Sequence, residues 1–61
     1  MILYIRDKKN IVSYYKIKAI HIEETLIGFA IYDEEIIILK KDISFASLRT
    51  EDGRLLQIIK E

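Results

Sequence analysis

The sequence predicts a small all-β domain, and three observations carry that expectation. Its 61 residues include fourteen Ile against one Val and three Ala, and β-branched side chains favour a pleated surface over a helix. Short runs of such residues are separated by clusters of Asp, Glu, Lys, Asn and Gly with turn chemistry. Two of those clusters, around Asn10 and Gly53, have the form of three-residue hairpin loops. The expected architecture is five or six short strands in a curved antiparallel sheet or SH3-like barrel, one domain over residues 1–61 that associates with itself.

The first strand is Ile2-Leu3-Tyr4-Ile5-Arg6. Asp7-Lys8-Lys9-Asn10 interrupts it and Ile11 restarts the pattern, with Asn10 at the position of such a loop that favours a left-handed backbone. From Ile11 to Glu24 the apolar phase changes. Tyr15, Ile17 and Ala19 alternate with Lys16 and Lys18, and the apolar set then moves to Ile20 and Ile22. A phase change within one extended segment predicts a bulge or sharp bend. A helix from Ile11 to Ile22 competes with this reading, and its β-branched content argues against it.

Leu26 to Tyr32 reads as a third strand, with Gly28 marking a close packing contact or a bend. Asp33-Glu34-Glu35 is expected to turn the chain. Ile36-Ile37-Ile38-Leu39 is continuous rather than alternating, which predicts a strand covered on both faces by a curling sheet or by another chain. Lys40-Lys41-Asp42 ends that run, and Ile43–Arg49 is a strand or a short helical turn leading into one. Thr50 to Arg54 repeats the first hairpin with Gly53 at the left-handed position. Pairing around it would set Leu48 and Ala46 beside Leu56 and Ile58.

Chemistry is sparse. The chain has no Cys and one His, so disulfides, thiolate metal sites and a multi-histidine zinc site are all excluded. His21 shares a strand face with Glu23 and could pair with it, but as an exposed polar pair rather than part of a triad. The acidic pairs Glu23-Glu24 and Glu34-Glu35 point to opposite faces unless they lie in turns. Two glycines cannot build a phosphate loop. We therefore expect no catalytic residue, no cofactor and no metal, and an enzyme is not expected. No apolar run approaches the length of a membrane span and no leader is legible, so a cytoplasmic location away from membranes is expected.

Binding is what remains. A chain this short buries only about 60% of the surface its unfolded form exposes and, without disulfides or metal, relies on association for further stability. The leading expectation is a homo-oligomeric protein–protein module, of the size of a small phage or mobile-element inhibitor or regulator. Ile36, Ile37, Ile38 and Leu39 would form its interface with a second copy or with an unidentified protein. The apolar surplus also extends through Ile43 to Ile59.

The alternative is a nucleic-acid binder. Ten basic and ten acidic residues cancel overall, yet the first eighteen residues hold half of the basic ones and a single acid, Asp7. Tyr4, Arg6, Tyr14, Lys16 and Lys18 interleave rings with cations there, the composition of a base-stacking platform.

Overall fold

A computed structural model describes residues 1–60. It contains seven strands: β1 (Ile2–Asp7), β2 (Val12–Lys16), β3 (Ala19–Ile22), β4 (Leu26–Ile31), β5 (Glu34–Leu39), β6 (Ile43–Arg49) and β7 (Leu55–Lys60). One 3-10 turn, Lys40–Asp42, joins β5 to β6. The strands form two antiparallel sheets, of order β2-β1-β6-β7 and β3-β4-β5. The all-β class is as expected. The finer expectation needs correcting: there are seven strands rather than five or six, and the two sheets do not close into a barrel.

The extra strand comes from the segment whose apolar phase changes. Residues 12–22 form no helix; β2 ends at Lys16, and β3 begins at Ala19 in the other sheet. Ile17 is buried at the corner between them, and the Lys18 backbone N–H donates to the Ala30 carbonyl at 2.9 Å. A residue that changes face at a bend can serve both sheets, which a straight strand of period two cannot.

Both three-residue hairpins form. Asn10 has φ 65° and Gly53 φ 87°, the left-handed position closing each loop. The Asp7 carboxylate accepts from the backbone N–H of Lys9 (2.8 Å) and of Ile11 (2.9 Å), so that charge is committed to its own turn. In the second loop the Thr50 hydroxyl donates to the Asp52 carboxylate, and Arg54 Nε lies 3.4 Å from it. The Thr50 hydroxyl, aided by the Arg54 backbone, holds the Asp52 carboxyl below its ordinary range.

A depressed folded-state value means that Asp52's contribution is complete above the unfolded pKa and is lost as pH falls through the lowered one. An NMR titration of Asp52 should show this midpoint. Thr50→Val should move it back up toward that of a free aspartate.

The acidic turn is shorter than expected. Tyr32 and Asp33 alone connect β4 to β5, with Tyr32 at φ 50°, while Glu34 and Glu35 already belong to β5 and pair with Ile31 and Ala30. Ile43–Arg49 is a strand throughout rather than a helical turn, and the 3-10 turn lies before it, at Lys40–Asp42.

The core lies between the sheets. Leu3 and Ile5 of β1 and Ala46 and Leu48 of β6 face Ile27 and Phe29 of β4, with Ile17 and Ile43 at the ends. The Tyr15 ring meets Phe29 across the gap at a centroid distance of 4.8 Å. Leu48 pairs with Leu56 as expected, but Ala46 pairs with Ile59 rather than standing beside Ile58. A register shift between Ala46 and Ser47 accommodates one additional β7 residue. Such a bulge lets the consecutive Ile58 and Ile59 both pack against the core.

Candidate nucleic-acid interface

The inner face of the β2-β1-β6-β7 sheet is core, and its outer face is open. The registers arrange that outer face in three cross-strand rows. One end is Val12, Arg6, Phe45 and Lys60; the other is Lys16, Ile2, Arg49 and Leu55. Between them runs Tyr14, Tyr4, Ser47 and Gln57. Successive rows are two residues apart along β2, β1 and β6, about 7 Å, and the bulge makes one such step on β7 three residues.

The chemistry of these twelve positions is one-sided. They carry four cations, three aromatic rings and no carboxylate. The rings are packed together. Tyr4 meets Tyr14 edge-on at 5.1 Å and Phe45 at 5.7 Å, a favourable geometry for ring quadrupoles. The Arg6 guanidinium lies 5.7 Å from the centre of the Phe45 ring, within cation–π range. Its Nε is buried without a hydrogen-bond partner, and a buried donor with no acceptor is uncommon in a native fold.

Arg6, Tyr4, Tyr14, Ser47 and Arg49, with Ile2, Phe45 and Leu55, line an open groove of about 430 Å³. Tyr14, on the edge strand, is 69% exposed and offers its ring to solvent.

Four of the five residues singled out for nucleic acid, Tyr4, Arg6, Tyr14 and Lys16, share this face. Lys18 does not. It follows the end of β2 at the bend and lines a second cleft with Met1, Tyr32 and Glu51, which Lys16 at the edge of the face also borders. Phe45, Ser47 and Arg49 were not among the sequence candidates, although they alternate at period two. Their signal was legible only once β6 was known to pair with β1.

The other sequence-derived surface divides. Ile36 and Ile38 turn inward and are half-buried against the core; Ile37 and Leu39 turn outward, at 58% and 42% exposure. The chain itself therefore covers one face of this strand, not both. On the same outer side His21 lies over Gly28, where a Cβ would overlap the imidazole. That close approach is the reason for a glycine in mid-strand. His21 Nε2 stands 3.2 Å from Glu23 Oε2, both side chains being about half exposed, and an ion pair in that setting contributes little.

Among the described residues no group of three or more His, Cys, Asp or Glu could hold a metal ion. No helix there is long and apolar enough to cross a membrane. No protein-family model, curated protein or solved structure matches the chain. The surface must be read from its own chemistry.

Proposed function

We propose that this protein is a small nucleic-acid-binding module whose site is the outer face of the β2-β1-β6-β7 sheet. One observation carries the reading. In a chain of zero net charge, that face gathers four cations and three rings and excludes every acid. Such a face attracts phosphates locally even though the molecule as a whole exerts no long-range pull. The exposed Tyr14 ring supplies a stacking surface, and the cations of the two flanking rows supply partners for phosphates. Rings alone would fit an ordinary sheet surface; rings flanked by two cationic rows fit a polymer that alternates bases with anions.

We read the architecture that supports the face as an SH3-like barrel left open. One segment, residues 12–22, feeds both sheets through its bend, and a 3-10 turn precedes β6, which returns to pair with β1.

A fluorescence-anisotropy titration with labelled DNA and RNA oligonucleotides tests the function. Binding should weaken steeply as salt rises, because neutralising phosphates releases counterions. Absence of binding at low salt would remove this reading. The outward Ile37 and Leu39 side chains favour a second one, a protein–protein module acting through β5.

A further inference from the structure

We infer that β5 is a self-pairing edge: two copies of this chain associate by antiparallel pairing of β5 with β5 around a two-fold axis at Ile37. The inference rests on the protein-module reading and names its partner as a second copy.

The argument begins with the four sheet edges. β3 is only four residues long. β2 carries Ser13 and ends on Lys16. β7 is bulged and carries Gln57. Short length, lysines and bulges are ordinary ways of keeping an edge from pairing. β5 has none of them along its apolar half: Ile36-Ile37-Ile38-Leu39 is an unbroken run at an open edge.

The backbone of that edge is oriented for pairing. The Lys40 N–H donates to the Thr25 carbonyl at 2.9 Å, so Lys40 faces β4. Antiparallel alternation then directs Ile38 and Ile36 inward to β4 as well. The N–H and C=O groups of Glu35, Ile37 and Leu39 are left pointing away from the sheet.

The charges select both the partner and the register. Asp33 and Glu34 precede the apolar run and Lys40 and Lys41 follow it. Two antiparallel copies centred on Ile37 place Ile37 opposite Ile37, Ile36 opposite Ile38 and Glu34 opposite Lys40, and bring the turn holding Asp33 to the same end as the 3-10 turn holding Lys41. Shifting the centre to Ile38 sets Glu34 against Asp42, and shifting it to Ile36 sets Asp33 against Leu39. Registers centred on Ile36, Ile37 or Ile38 all let outward backbone groups meet outward groups, and the Ile37 register alone among them sets acid opposite base with no like charges facing each other. It forms about six inter-chain hydrogen bonds and brings the exposed Ile37 side chains into contact across the axis. A parallel arrangement would stack acid on acid, so the pairing is isologous.

Sedimentation over a concentration series tests this, using the whole chain and three variants. The wild type should dimerise. Ile37→Lys, whose side chain points away from the core, should sediment as a monomer with an unchanged circular dichroism spectrum. Glu34→Lys should weaken association about tenfold by facing Lys40 with a like charge. The double variant Glu34→Lys/Lys40→Glu should recover it, because the exchanged charges complement each other again. A wild type that stays monomeric at every concentration overturns the second copy as partner while leaving a different protein at β5 open to test. A dimer unmoved by both Ile37→Lys and Glu34→Lys overturns the role of β5 altogether.

Discussion

Phe29→Ala is expected to abolish cooperative unfolding at 25 °C. Phe29 is among the largest fully buried side chains, sits in the central strand of its sheet, and meets Tyr15 from the opposite sheet. Truncating a buried Phe to Ala costs about 3–5 kcal/mol. A domain of this length has a total stability of roughly 3–9 kcal/mol, so one substitution removes a large share of it. The core offers little scope for repair. Its other fully buried large side chains are Leu3 and Ile27, and neither can fill a ring-sized void without leaving its own contacts. Urea unfolding followed by circular dichroism should show a sloping baseline in place of a transition. Phe29→Leu, which keeps most of the volume, should retain a sharp but earlier one. An Ala variant with an unshifted midpoint would mean that the two sheets are not held together through this contact.

The second large effect concerns the sheet face. Tyr14→Ala should weaken single-stranded nucleic-acid binding by about 5- to 150-fold, since stacking of a base on an aromatic ring is worth ~1–3 kcal/mol. Because Tyr14 is mostly exposed, the variant should unfold close to the wild-type midpoint, which separates lost binding from lost structure. Arg49→Gln acts through charge and should give a different signature. The affinity should fall across all sequences, and the dependence of log affinity on log salt should flatten by about 0.7 for a single strand. Arg54→Gln provides the comparison: its guanidinium lies in the second hairpin loop beside Asp52, off the face, and the salt slope should not change. Equal losses for Arg49→Gln and Arg54→Gln would mean that attraction is diffuse and the three rows have no special role.

Much of this fold was legible residue by residue, where the determining physics is local. Asn10 and Gly53 marked their hairpins because left-handed backbone selects those residue types within a few positions of sequence. The phase change near Ala19 marked a break, since burial on a strand has period two and cannot switch sides without one. Gly28 marked a close approach, and the structure supplies the neighbour, His21. The alternation of Tyr4 with Arg6 and of Tyr14 with Lys16 placed those four side chains on shared faces of their hairpin.

What failed to be legible depended on which distant strands meet. The pairing of β1 with β6 spans more than thirty residues of sequence, and nothing local in Ile43–Arg49 announces it. Without that pairing Phe45, Ser47 and Arg49 are unremarkable strand residues; with it they complete a surface begun by Tyr4 and Arg6. The β7 bulge likewise moved Ile59 into the place expected for Ile58, an outcome set by packing against the core rather than by the hairpin loop. Lys18 was grouped with the cations by proximity in sequence, and the bend at Ile17 carried it off the face that holds Tyr4, Arg6 and Tyr14.

By itself, then, the sequence determined the all-β class, the hairpin loops, the position of the bend and the absence of cysteine chemistry, because composition, period and turn preference act over a few residues. Only the tertiary structure decided that the strands divide into an open pair of sheets, that cations and rings from four strands share one acid-free face, and that β5 is left as an edge. These follow from long-range pairing, in which each strand's neighbours are chosen by the burial of the whole core rather than by its own residues.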